Sequence, residues 1–138
     1  MRELHRVTLY TDGSSLGNPG RAGVGVVIYN EDNKVVKKVA EFIGVTTNNV
    51  AEYMALIYAL GEALHLRARK VECFLDSELL VRQLKGSYKV RDSKLKLLYH
   101  QVKHLESFFE NVNFHHTNRE GNKEADRLAR KAAKEKRE

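Results

Sequence analysis

Four acidic residues stand where acids are costly or pointed: Asp12, Glu52, Asp76 and Asp126. Asp12 closes the alternating run Val7-Thr8-Leu9-Tyr10-Thr11, and Asp76 closes the run from Lys70 to Leu75, so that Leu75-Asp76-Ser77 mirrors Thr11-Asp12-Gly13. Were these two runs parallel, adjacent strands, both carboxylates would emerge on one rim of a sheet, the usual ligand edge of such folds. Glu52 is the only charged residue between Asn49 and Gly61, in a segment whose apolar positions cover most of a helix surface. An unpaired carboxylate buried there neutralises itself or destabilises the fold, a cost that a nearby cation removes. Asp126 follows Asn122 by one helical turn and shares its face.

Taken singly, each acid has an ordinary explanation. A strand-end Asp is a turn residue, Asp126 is a first-turn helix acid, and Glu52 could sit half exposed at a helix end. Taken together, in a chain with one cysteine and no His/Cys cluster, they predict an all-oxygen site for a hard cation, Mg²⁺ or Mn²⁺. Several carboxylates can hold two such ions about 3.5–4 Å apart, clamping the attacking and leaving oxygens of a phosphodiester displacement.

The charge balance suits that chemistry. Lys and Arg number 24 against 18 Asp and Glu, a net charge of +6. The excess is local: Arg82, Lys85, Lys89, Arg91, Lys94, Lys96 and Lys103 face only Asp92 in their stretch. Such a run is either a solvated helical face or a grip on a polyanion. The 138 residues suit one domain spanning 1–138, with hydrophobic and charged fractions of 42% and 30% that are normal for a globular chain. No apolar run approaches the roughly 20 residues that cross a bilayer, and no apolar leader follows Met1. Cys73 alone allows no intrachain disulfide and no Cys-rich zinc site. The expectation is a cytoplasmic protein without a membrane partner.

Positioning these residues requires a mixed sheet. Val7–Thr11 reads as a strand, Ser14–Gly20 as a loop, and Ala22–Tyr29 and Lys34–Ile43 as an antiparallel hairpin around Asn30-Glu31-Asp32-Asn33. The period then changes to that of a buried helix over Asn49–Leu64. A strand over Lys70–Leu75, a short helix over Ser77–Leu84 and a break at Gly86-Ser87 follow. Leu95, Leu98, Val102, Leu105 and Phe109 predict a long helix capped by Asp92 or Ser93. A last strand over Val112–His115 precedes a terminal helix from Asn122 to about Lys136, with Ala125, Leu128, Ala129 and Ala132 facing inward. Strands that pair in parallel across a helix imply an α/β fold with helices packed on the sheet.

At this point the chain resembles the type-1 ribonuclease H family, which cuts RNA within RNA/DNA hybrids. The matching segments are Tyr10-Thr11-Asp12-Gly13-Ser14 with Gly17-Asn18-Pro19-Gly20, Thr46-Thr47-Asn48-Asn49-Val50-Ala51-Glu52, Leu75-Asp76-Ser77, and Asn122-Lys123-Glu124-Ala125-Asp126-Arg127-Leu128-Ala129. Each is weak alone; four in the family's order are specific. The resemblance implies a five-stranded mixed sheet of order 3-2-1-4-5 with helices on both faces. It carries the four metal-holding carboxylates onto Asp12, Glu52, Asp76 and Asp126, with two Mg²⁺ or Mn²⁺ ions per site and products ending in 5′-phosphate and 3′-hydroxyl. Asn48 and Asn49 then fall at positions that contact the RNA minor groove, where amides both donate to and accept from 2′-hydroxyls. Thr47 matches a position gripping a DNA phosphate, and Asn18 another substrate contact; helix capping by Thr47 or Asn48 is compatible with both roles.

Two departures from the family pattern bear on mechanism. Gln83-Leu84-Lys85-Gly86-Ser87-Tyr88-Lys89-Val90-Arg91 runs directly into the long helix, so the basic handle that many members carry is absent. Substrate grip then falls to Lys85, Lys89 and Arg91, or to Arg127, Arg130, Lys131 and Lys134 of the terminal helix, with a salt-sensitive affinity. The loop His115-His116-Thr117-Asn118-Arg119-Glu120 offers two candidates for the residue assisting catalysis. His116 occupies the family's histidine position by ungapped counting from Asp126. Arg119-Glu120 resembles the Arg-Glu loop of handle-less archaeal and bacterial members, and Arg119 is slightly favoured. The expected partner is an RNA/DNA hybrid, with double-stranded RNA left open, and the expected state is a monomer. Two rivals remain: a DNA-directed nuclease or transposase-like core of the same superfamily, and a non-catalytic hybrid- or duplex-RNA-binding module.

Overall fold

Strict alternation sets the two faces of the first strand. In β1 (Arg6–Ser15), Val7 and Leu9 are fully buried on one side, while Thr8, Tyr10 and Asp12 point to the other. β2 (Gly20–Tyr29) and β3 (Val35–Thr46) continue as antiparallel neighbours. Their turn is tied by Asn30, whose side-chain oxygen accepts from the backbone N–H groups of Asp32 and Lys34 at 2.9 and 3.0 Å. The computed structural model describes residues 4–135.

After the hairpin come α1 (Asn48–His65), β4 (Lys70–Leu75), α2 (Glu78–Leu84), α3 (Ser93–Glu106), β5 (Asn111–His116), one 3₁₀ turn (Glu120–Asn122) and α4 (Lys123–Ala133). The sheet order is β3-β2-β1-β4-β5, with β1 parallel to β4 and β4 parallel to β5. This is the α/β mixed sheet read from the sequence pattern, in the order 3-2-1-4-5 that the family resemblance implies.

Helices cover both faces. On one, Val7, Leu9, Val26, Ile28, Val71 and Cys73 of the sheet meet Tyr53, Leu56 and Leu60 of α1 and Val102 of α3. On the other lies α4, whose inner stripe Ala125, Leu128, Ala129 and Ala132 is buried as predicted. It approaches β2 closely because Gly23 and Gly25 present no side chain: a Cβ at Gly25 would stand 2.1 Å from the Ala125 carbonyl oxygen.

The element boundaries differ in informative ways. Asp12 does not follow β1 but lies within it, opposite Gly25, because the antiparallel ladder with β2 runs on to Ser15 after the parallel ladder with β4 has stopped. Phe109 is not on the long helix: α3 ends at Glu106, and Phe109 turns back to bury its ring beyond it. Asp92, not Ser93, is the cap, accepting from the Leu95 N–H at 3.0 Å. The terminal helix stops at Ala133, and Lys136 lies outside the described residues.

Gly13 sets the distance between β1 and α1. A Cβ there would lie 2.2–2.3 Å from the backbone of Ala51 and Glu52, so any side chain must push the helix away. Gly13→Ala is expected to destabilise the fold by about 2–3 kcal/mol, as overpacking does. That lowers the thermal midpoint by roughly 10 °C for a chain of this size. A melt within a few degrees of wild type would show that the helix yields freely.

Candidate active site

The four acids converge for a reason visible in the strand register. Thr11 and Leu75 form the last parallel pair between β1 and β4, and Asp12 and Asp76 are each the next residue. Both leave the sheet at the same level. Glu52 comes from the second turn of α1, a helix that Thr47 starts by accepting the Val50 N–H at 3.3 Å. Asp126 comes from the first turn of α4. The buried Asn122 fixes that turn on β1, donating its amide N–H to the Thr11 carbonyl at 2.9 Å, one residue before Asp12.

Ligand oxygens of Asp12, Glu52 and Asp76 all lie within 4.8 Å of one another. Glu52 is 8% exposed, so the half-exposed alternative does not hold. Burial, then the charges of Asp76 and Glu52 and the contact with Asp126, push the Asp12 carboxyl up to about 9. Burial, then the charge of Asp76, raises Glu52 to about 7, against the pull of hydrogen bonds from the Ser77 hydroxyl, Asp12 and the Gly13 N–H. Among the described residues no ion pair reaches Asp12, Glu52 or Asp76, a local deficit of positive charge, while Arg130 at the cleft wall pairs with Asp126 instead. An oxygen-only donor set with this deficit fits a hard divalent ion, and the residues able to hold one are Asp12, Glu52 and Asp76, with Asp126 beside Asp12.

The acids open into a cleft of about 750 Å³, which Asn48, Asn49, Ser77, Arg119, Arg130 and Lys134 also line. Asn48 and Asn49 are thus brought beside the carboxylates. Asn18 accepts the Asn48 backbone N–H at 3.1 Å, and with Thr47, Asn48, Asn49, Asp92 and Lys94 lines a smaller adjoining hollow. Arg119 reaches the cleft. His116 is not among its lining residues and ends β5 as an exposed side chain, while His115 turns to the sheet surface and pairs with Glu72 at 2.6 Å. Lys85, Lys89 and Arg91 are exposed but do not line the cleft; Lys85 ends α2, and Lys89 borders a separate hollow with Lys96 and His100.

Ser77 was not singled out from the sequence, although its hydroxyl both caps α2, accepting the Leu80 N–H at 3.2 Å, and touches Glu52. Its place directly after Asp76 was the available signal. The sequence gives Arg130 and Lys134 only a share in substrate grip; their spacing of one and two turns from Asp126 makes them neighbours of the cleft.

Comparison with known proteins follows the same line. Residues 10–132 match the family model described as reverse transcriptase-like. A ribonuclease H of Chlorobaculum parvum is 35% identical over 94% of this chain and 96% of its own length. The chain belongs to the ribonuclease H family. A ribonuclease HI of Halobacterium salinarum is 39% identical over 92% of this chain and 64% of its own. The crystal structure of RNase H1 from that archaeon superposes with a TM-score of 0.90 at 38% identity, covering 92% of this chain and 96% of the other. The N-terminal RNase H domain of a Mycobacterium tuberculosis protein, solved as a fusion with maltose-binding protein, gives 0.91 at 41% identity over 94% of both chains. That full-length protein is described as bifunctional, and this chain spans 35% of its length. Among the described residues no helix is long and apolar enough to cross a membrane.

Proposed function

We propose that this chain is an endonuclease that hydrolyses the RNA strand of RNA/DNA hybrids with two divalent ions, Mg²⁺ or Mn²⁺. The observation that carries the reading is the meeting of Asp12, Glu52 and Asp76, with Asp126 against Asp12, in one cleft beside Asn48 and Asn49. A bound ion pair supplies Lewis acidity, lowering the cost of deprotonating the attacking water and of charge on the departing 3′ oxygen. The products are 5′-phosphate and 3′-hydroxyl ends.

The chain's own residues do the rest. Asp12, central to the cluster, would hold the ions together with Glu52, Asp76 and Asp126. Ser77 and the Gly13 N–H hold Glu52 in place. Asn48 and Asn49 select RNA by pairing with 2′-hydroxyls in the minor groove, and Thr47 and Asn18 steady the neighbouring strand. Arg119 is the loop residue that assists near the reacting phosphate, since it lines the cleft where His116 does not. Lys85, Lys89 and Arg91 hold the duplex electrostatically, away from the chemistry. A related RNase H1, 42% identical with a TM-score of 0.87 over 92% of this chain and 96% of its own, was solved in complex with an RNA/DNA hybrid, which supports the same partner here. Residues 1–138 act as one catalytic unit, a monomer in the cytoplasm.

Labelled RNA/DNA, RNA/RNA and DNA/DNA duplexes presented side by side in Mg²⁺, Mn²⁺ and chelator test it. Cleavage of the RNA strand of the hybrid in either metal, none in chelator and none of DNA/DNA is the expected pattern. The RNA/RNA lane decides whether double-stranded RNA is a second substrate. Equal cleavage of DNA/DNA would favour a DNA-directed nuclease. Hybrid binding in chelator with no cleavage in either metal would make the chain a binding module.

A further inference from the structure

Asp126 stands apart from its three partners. Its carboxylate is not in the group whose oxygens lie within 4.8 Å of one another, although it contacts Asp12. Its Oδ1 accepts from Arg130 Nε at 3.2 Å, one turn further along α4. Arg130 lines the same cleft as the carboxylates and is half exposed, with Lys134 one more turn along the same helix edge. Each step of one turn is about 6 Å along the axis. The row Asp126, Arg130, Lys134 therefore runs from the metal-binding acids out along the cleft wall as one anion followed by two cations.

A guanidinium bonded to a carboxylate oxygen competes with a divalent ion for that oxygen, and its charge repels the ion. An exposed ion pair of this kind is weak enough to be exchanged. A phosphate oxygen offers Arg a stronger, bidentate alternative. We propose that Arg130 is a positioning residue with two partners: it holds Asp126 in the free protein and gives it up when an RNA phosphate enters the cleft. Asp126 then becomes available to the second ion only once substrate is seated, which keeps that half of the metal site from filling without RNA. The inference rests on the hybrid-cleaving reading for the identity of the phosphate, and on the Arg130–Asp126 pair alone for the metal-binding step.

Mn²⁺ binding to the free protein, counted by electron paramagnetic resonance, separates the two. The wild-type chain is expected to take one Mn²⁺ tightly and a second weakly. Arg130→Gln removes the competing charge and is expected to tighten the second ion by roughly fivefold, the scale of one exposed ion pair. Arg130→Lys keeps the charge and is expected to stay close to wild type. In hybrid binding measured against salt in chelator, Arg130→Gln is expected to lower the slope by roughly one, the loss of one phosphate contact, with the thermal midpoint unchanged. A second Mn²⁺ that binds no tighter to Arg130→Gln than to wild type overturns the proposal, as does an unchanged salt slope. A chain that bound Mn²⁺ as described but cut no hybrid would count against the assigned activity and leave the ion competition standing.

Discussion

Asp12→Asn is expected to abolish hybrid cleavage while leaving the metal-free protein as stable as wild type at neutral pH and more stable in alkali. The carboxyl of Asp12 is buried against Asp76, Glu52 and Asp126, and its affinity for a proton is raised to about 9. At neutral pH without metal it therefore carries a proton, and an asparagine amide imitates that neutral form in size and polarity. Above pH 9 the native side chain must ionise beside its neighbours whereas the amide does not, so the variant gains there. Activity behaves oppositely. The neutral amide cannot act as a shared anionic ligand, and a fall of at least a thousandfold, about 4 kcal/mol in the barrier, is expected. Cleavage assays and melts on the same preparation test both halves. Parallel loss of stability and activity would make Asp12 a structural residue rather than the centre of the site.

The second large effect is the dependence of stability on pH and metal together. Asp12 and Glu52 bind protons more tightly in the folded chain, at about 9 and about 7, than the ordinary values of 3.8 and 4.5. The folded state therefore retains protons that the unfolded chain releases. The stability they confer is complete below about pH 4 and drains away as pH rises, first through the range of Glu52 and then through that of Asp12. In chelator the thermal midpoint is expected to decline from about pH 5 to pH 9. Groups held in the opposite sense, Glu72 by His115 and Asn113 and Glu124 by Arg127 and Lys38, lose their contribution only in acid, below 4.5, so they do not mask this limb. Millimolar Mg²⁺ or Mn²⁺ takes the place of the protons and is expected to lift the midpoint most at pH 9. A chelator curve that stays level or climbs over this interval would mean the acids are not the electrostatic liability their packing indicates.

Much of this was legible from residue order because the responsible patterns are local. Alternation located the strands, the apolar coverage of Asn49–Leu64 located the buried helix, and the repeated strand-then-aspartate pattern placed Asp12 and Asp76 on one rim. Boundaries depended on partners the sequence does not display. β1 extends past Asp12 because β2 still pairs there, and α3 stops before Phe109 because that ring packs from a turn. At the site, the identity of the acids was readable, but their inequality was not. That Asp126 is held by Arg130 outside the tight group, and that Arg119 rather than His116 lines the cleft, follow from how α4 and its preceding turn sit on the sheet.

The hairpin turn at Asn30–Asn33 has a practical use. The register pairs Tyr29 with Thr8 and Gly25 with Asp12, so this turn sits at the end of β1 remote from the acids, four residues or about 13 Å along the strand. A surface anchor, a fluorophore or a fused domain grafted there would ride on a rigid ribbon while the nucleic-acid side stays open, making it the preferred attachment point for watching single molecules act on an immobilised duplex.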